Sequence, residues 1–160
     1  KKWRRTGVIW WNVIDGWPQF SDAVVSYDFI KKLAYHYIKR SQQHICMMMA
    51  EPESWHVRLM VGNDTRTACA GSYRVWDGDT GETLSEGAFK SPANATAEVD
   101  RIRISHGDQR LMLIEWTVNG VRSVNHYVLG TPPLSFERYK NWLYRIAELD
   151  GAFDAGQVGK

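Results

Sequence analysis

The pattern of apolar and polar residues changes character along the chain. A continuous apolar run predicts a short strand at residues 8–14, buried on both faces because it has no polar side. The spacing then becomes helical at about residues 27–40. The apolar face of this predicted helix carries Ile30, Leu33, Ala34, Tyr37 and Ile38. Its solvated face is predicted to carry Lys31, Lys32, Lys39 and Arg40.

From His44 to Gly130 apolar and polar residues alternate, which is the period of half-buried strands. Turn residues separate the alternating stretches, and Asn119-Gly120 is a tight-hairpin signal. Seven strands are predicted, at about 44–51, 55–62, 68–76, 82–89, 95–104, 110–119 and 122–129. Seven short strands at regular spacing indicate a mainly β fold, an immunoglobulin-like β-sandwich.

A second helix is predicted after the sandwich. Ser135 is a suitable N-cap, and helical spacing continues to about residue 149. The apolar stripe of this helix is formed by Phe136, Tyr139, Leu143, Ile146 and Ala147. Residues 151–160 are small and polar, so we expect a disordered tail.

Composition excludes several classes of function. The 160 residues are 44% hydrophobic and 24% charged, as in a globular domain, and the net charge of +2 gives no argument for nucleic acid. There is no apolar run of about 18 residues, so no membrane partner is expected. The five histidines have no metal-ligand spacing, so neither a metal nor another cofactor is expected. Cys46 and Cys69 are expected to be free thiols, although a single bridge stays open.

Aromatic residues are abundant, and several of them follow the first predicted strand. The chain has eight Trp, which indicates either a large core or a sugar-stacking surface. Trp11, Asn12, Asp15 and Trp17 lie at the C-terminal end of that strand, where barrel enzymes build their sites. Indole faces stack on pyranose rings, and amides and carboxylates bind hydroxyl groups. The alternative is that these side chains pack in a core, and the residues alone leave both interpretations open.

Three stretches carry a resemblance to a known family. Residues 10–18, Trp-Trp-Asn-Val-Ile-Asp-Gly-Trp-Pro, resemble the last barrel strand of glycoside hydrolase family 2 enzymes of the β-mannosidase type. Residues 26–28 and 32–40 are similar to the final barrel helix of that family. Asn125-His126-Tyr127, Gly130, and residues 138–143 are similar to its closing strand and helix. Trp11 matches the subsite tryptophan of the family.

This resemblance implies a layout and an activity. Residues 1–41 would be the last strand and helix of a catalytic (β/α)8 barrel. Residues 42–150 would be the following immunoglobulin-like domain with its helix, and 151–160 its tail. The parent enzyme would hydrolyse β-glycosides with retention. Its two catalytic Glu residues would lie upstream, so no catalytic residue and no activity are expected of this chain alone.

The expected partners are a carbohydrate, in the full-length enzyme, and the upstream barrel. Many family members have Asn before the Asp, where Ile14 stands here, so the choice between a mannoside and another β-glycoside stays open. Without neighbouring barrel strands, the apolar strand 8–14 has unpaired edges. Residues 1–20 are therefore expected to be disordered, to refold onto the sandwich, or to self-associate with another chain.

A second class of function is an autonomous sandwich that binds carbohydrate or another protein. Such a module would expose two or three coplanar rings on the sandwich itself. The candidate rings are Trp55, Tyr73, Trp76 and Trp116. The position of the exposed aromatic rings therefore distinguishes the two classes.

Overall fold

The computed structural model describes residues 10–19 and 21–154, and the chain divides into two compact units between Gln43 and His44. The start of the predicted strand 8–14 lies outside the described residues. The elements are α1 (Leu33–Ser41), β1 (Ile45–Met49), β2 (His56–Asn63), β3 (Cys69–Asp77), β4 (Thr83–Ser91), β5 (Ala95–Arg103), β6 (Arg110–Val118), β7 (Val121–Leu129) and α2 (Phe136–Ala147).

The second unit is the predicted β-sandwich. Its seven strands form a three-stranded sheet, β1-β2-β5, and a four-stranded sheet, β4-β3-β6-β7, with antiparallel pairing throughout. β4 pairs with β3 and not with β5, so it lies at the edge of the larger sheet. The hairpin between β6 and β7 turns at Asn119 (φ 51°) and Gly120 (φ 78°), the conformation that an Asn-Gly turn favours. The mainly β fold class is confirmed.

The sandwich core follows the predicted alternation. Val57, Leu59 and Val61 of β2 are fully buried, as are Met112 and Ile114 of β6. β6 is a central strand of its sheet, and its alternate residues Leu111 and Leu113 are buried as well. Met47 of β1 completes one side of this core, whereas Met48 of the same strand is exposed.

A polar contact links the two sheets where β4 and β5 run as edge strands. The hydroxyls of Tyr73 on β3 and Ser85 on β4 both donate to Asp100 Oδ2 on β5, the former over 3.1 Å. The Ser85 hydrogen bond is the main cause that lowers the pKa of Asp100. A carboxylate of the smaller sheet is thus held by two hydroxyls of the larger sheet.

α2 is attached to the turn between β3 and β4. Ser135 caps the helix as predicted, and its hydroxyl accepts from the Arg138 N–H. Asp79 accepts from Trp142 Nε1 over 2.8 Å and from Arg138 Nη2 over 3.0 Å. Trp142 is buried, whereas Phe136, predicted on the apolar stripe, is 74% exposed. The stripe prediction was wrong at Phe136 because this residue lies at the first position of the helix.

The chain stays ordered for a few residues after α2. Ala152 is buried, and its N–H donates to the Leu149 carbonyl over 3.0 Å. The described part of the predicted tail, residues 151–154, therefore contains a buried anchor. Residues 155–160 lie outside the described residues.

The first unit departs further from the sequence pattern. α1 begins at Leu33 and not near residue 27, because Ser26 closes a turn instead. The Ser26 carbonyl accepts from the Phe29 N–H and its hydroxyl from the Ile30 N–H, and such local bonds compete with helix formation. Ile30 is exposed, while Arg40, predicted on the solvated face, is 3% exposed. Arg40 lies over the Tyr37 ring, so its apolar stem and planar head are covered.

We expect Gly71→Ala to destabilise the sandwich strongly, because Gly71 lies where β3 is flanked by both β4 and β6. An added Cβ would meet the Thr117 carbonyl oxygen at 2.1 Å and a Phe89 ring carbon at 2.9 Å. The cost is about 2–3 kcal/mol of unfolding free energy, the upper range for overpacking, measured by urea denaturation. Gly87→Ala is the matched control, since its nearest contact is 3.5 Å away. Equal midpoints for the two variants would contradict the packing described.

Candidate functional site

The segment that carries the candidate residues is irregular in the described range. The Val25 N–H donates to the Val13 carbonyl over 2.9 Å, and the Asp15 N–H donates to the Val25 carbonyl over 3.1 Å. Ile14 and Val25 form an isolated parallel bridge, and the Trp11–Asn12 peptide is cis. The predicted strand was therefore wrong over residues 10–13, because only this single bridge pairs the described part of the segment.

Three indole rings of this segment face solvent. Trp11 is 78% exposed, Trp17 64% and Trp10 44%. Asn12 is exposed beside them, and so are Val13 and Ile14. The burial predicted for this run was wrong in the chain as it stands. An exposed indole offers a flat face for stacking on the C–H face of a sugar ring.

Asp15 differs from its neighbours because its carboxylate is buried. The residue is 2% exposed, and Lys32 Nζ donates to its Oδ2 over 2.9 Å. The Ser21 hydroxyl donates to its other oxygen, Oδ1. The hydrogen bond from Ser21, followed by that from Lys32, lowers the pKa of the carboxyl below its ordinary value of 3.8. Asp15 is thus an ionised carboxylate with a partner on each oxygen.

The same cluster fixes the loop that follows the segment. Lys32 Nζ also donates to the Ser21 carbonyl over 3.1 Å, and the Ala23 N–H donates to the Ser21 hydroxyl over 3.2 Å. Lys32 was predicted on the solvated face of the helix, and that prediction was wrong because its ammonium neutralises Asp15. Ser21 was missed entirely, since no short motif joins it to Asp15 and Lys32.

The structure therefore separates the four predicted site residues into two groups. Trp11, Asn12 and Trp17 present exposed side chains, whereas Asp15 lies beneath the surface in contacts within the chain. An Asp with both oxygens occupied is suited to positioning the backbone around it. The exposed group is suited to stacking and to hydrogen bonding with hydroxyls.

The aromatic residues of the sandwich are mostly in its core. Tyr73 is 8% exposed and Trp116 2%. Trp76 is half-buried and lies beneath the Arg74 guanidinium, 5.3 Å from its ring centroid. Trp55 alone of these four candidate rings is exposed, at 61%. It was predicted as the first residue of a strand at 55–62, but it lies in the turn that precedes β2.

Metal and thiol chemistry have little support in the described residues. Within residues 10–19 and 21–154 no group of three His, Cys, Asp or Glu side chains could hold a metal ion. Asp77 accepts from the N–H groups of Asp79 and Thr80, so its carboxylate stabilises the turn between the antiparallel strands β3 and β4. Cys46 and Cys69 do not form a disulfide bond, and burial raises the pKa of the Cys46 thiol to about 11. No helix in the described ranges is long and apolar enough to cross a membrane.

Comparison with known proteins yields a likeness of fold, and it comes from solved structures. No family model matches the chain, and no curated protein does. Among solved structures, it is similar to a β-D-mannosidase from Dictyoglomus thermophilum, with a TM-score of 0.59 and 20% identity over 75% of this chain. The match spans 16% of the length of that enzyme. The likeness supports a β-sandwich domain of the kind that this enzyme contains.

We expect the Asp15 carboxyl to titrate below 3.8, and Ser21→Ala or Lys32→Met to raise its pKa. Because the folded-state pKa is lowered, Asp15 stabilises the folded unit above the unfolded pKa, and this contribution is lost as the pH falls through the folded value. Carbon-13 NMR of the side-chain carboxyl measures the titration. Lys39→Met is the control, because Lys39 lies in α1 and is not among the groups that lower the pKa of Asp15. An unchanged Asp15 titration in Lys32→Met would contradict the ion pair.

Proposed function

We propose that this chain is the C-terminal portion of a β-glycosidase of the glycoside hydrolase family 2, β-mannosidase type. In this proposal residues 1–41 complete a catalytic barrel, and residues 42–150 form the sandwich that follows it. The sequence of residues 10–18 supports the family, and the fold of the second unit is of a kind found in a β-mannosidase. The reaction is hydrolysis of an O-glycosidic bond with retention.

One observation carries the proposal over the alternative of an autonomous sugar-binding sandwich. The exposed indoles of Trp11 and Trp17 belong to the segment that resembles a barrel strand. Of the rings that a planar platform on the sandwich would need, Tyr73 and Trp116 are buried in the core. A binding module that stacks sugars on a row of rings is therefore disfavoured.

Each residue of the exposed group has a role in this proposal. Trp11 stacks on a pyranose, the Asn12 amide binds its hydroxyls, and Trp17 forms the rim of the site. Asp15 acts as a positioning residue, because its pairing with Lys32 holds the backbone next to Trp17. The acid/base and the nucleophile are two Glu side chains supplied upstream, about 5–5.5 Å apart as retention requires.

The exposed apolar run also bears on partners. Trp10, Trp11, Val13 and Ile14 expose four apolar side chains within five residues, interrupted only by Asn12, and proteins usually cover such a surface. In the full-length enzyme the neighbouring barrel strands would cover it. In the isolated chain self-association through this stretch remains the predicted alternative.

The test begins with the upstream reading frame. Joined to it, the protein is expected to hydrolyse an aryl β-mannoside or another aryl β-glycoside, while the isolated chain shows no turnover. Trp11→Ala in the complete protein should lower kcat/KM roughly 10- to 100-fold, as expected from the loss of about 1.5–3 kcal/mol of stacking and burial. Phe136→Ala is the control, since its ring is exposed at the start of α2.

Two outcomes would contradict the proposal. One is an upstream sequence without a pair of strand-end Glu residues. The other is turnover by the isolated chain that a Glu→Gln change within it abolishes. Equal kcat/KM values for the Trp11 and Phe136 variants would show that Trp11 does not contact the sugar. They would not contradict the proposed family.

A further inference from the structure

We infer that the sandwich carries a separate groove that binds a neutral pyranose, with Trp55 as its stacking platform. The groove lies at one end of the second unit, between the β1–β2 connection, the β5–β6 connection and the end of β7. Its volume is about 770 Å³, within the range of small-ligand sites. The inference goes beyond the proposed function, because no residue of the segment 10–19 lines this groove.

The backbone at Trp55 is the first observation. Ser54 (φ 51°) and Trp55 (φ 65°) are the two central residues of a tight hairpin turn. Glu53 and His56 close the turn with reciprocal backbone hydrogen bonds of 2.9 and 3.0 Å. Asn-Gly is the favoured pair for such a turn, and a bulky residue at positive φ is strained. Backbone strain of this kind is common at ligand-binding sites, and here the strained residue places its indole beside a groove.

The walls of the groove are held by contacts within the chain. The Ile104 N–H donates to the Trp55 carbonyl over 3.0 Å, and the Ser105 N–H donates to Asp108 Oδ2 over 2.6 Å. Gln109 Nε2 donates to the Thr131 carbonyl over 3.0 Å. The His106 ring stands edge-on to Trp55, with centroids 6.1 Å apart. Because these contacts already fix the groove, little conformational freedom of its loops is lost when a ligand binds.

The charges of the groove select the chemistry of the ligand. Its described lining includes Glu51, Glu53 and Asp108, and no Lys or Arg, so an anionic ligand would be repelled. Arg58 lies 3.5 Å from Glu53 and balances that carboxylate. Tyr127 adds a neutral hydroxyl to the lining, and burial, followed by the charge of Glu51, raises its pKa further above 10. A neutral sugar can therefore stack on Trp55, and its hydroxyls can donate hydrogen bonds to Glu51 or Tyr127.

The test is an NMR titration of the full chain with β-1,4-mannotriose and with cellotriose. At millimolar sugar we expect the Trp55 indole N–H signal and the groove amides, such as Gly107, to shift. Trp55→Ala should weaken the binding reported by Gly107 at least tenfold, and Glu51→Gln about threefold. Trp17→Ala should leave the Trp55 shift unchanged, so failure here is distinguishable from failure at the proposed barrel site.

A second variant separates binding from folding. The double change Ser54→Asn and Trp55→Gly installs the favoured turn, so it should raise the thermal midpoint while binding is lost. The inference is overturned if neither sugar shifts a groove signal, or if this double variant binds as the parent does. The inference is also overturned if the groove binds only a cation. Arginine methyl ester is the probe for this outcome, and binding of a cation should be lost in high salt.

Discussion

The burial of alternate side chains between two antiparallel sheets is the constraint on which the sandwich depends. Val57, Leu59 and Val61 face the space between the sheets, and Ile114 and Trp116 reach it from the central strand of the other sheet. A one-residue slip in register would turn each of these side chains outward, so the pattern specifies the pairing strongly. Polar contacts such as that of Asp100 with two hydroxyls then join the sheets at an edge of this core.

The first unit depends on a different kind of interaction. Its larger apolar residues near the start of the described chain are exposed, so hydrophobic burial does little to hold that segment. The buried carboxylate of Asp15 holds the segment instead, because Lys32 and Ser21, two residues later in the chain, donate hydrogen bonds to it. Removing one partner of such a pair leaves a buried charge without compensation, which costs more than the pair itself contributes.

How well each feature could be predicted depends on how far apart along the sequence the residues that determine it lie. Strand period is local, so the seven strands were predicted to within about two residues at most ends. Trp55 was misplaced because its turn contains neither Gly nor Asn, the residues that mark such turns. The Asp15–Lys32 pair was missed because 17 residues separate its members and α1 begins later than its period indicates. In the candidate site, exposure of the rings was beyond prediction, because it depends on what covers the segment.

The exposed tryptophans fall into two environments that call for different occupants. Trp11 lies in a run with Trp10, Val13 and Ile14, all exposed and all apolar, so the cover of this run must itself be largely apolar. In the proposed enzyme, neighbouring barrel strands cover Trp10, Val13 and Ile14, and one face of the Trp11 ring is left for the sugar. Trp55 instead lies at a strained turn, in a groove lined by three carboxylates and Tyr127. An occupant there must pair one apolar face with several hydrogen-bond donors, and a pyranose has that composition.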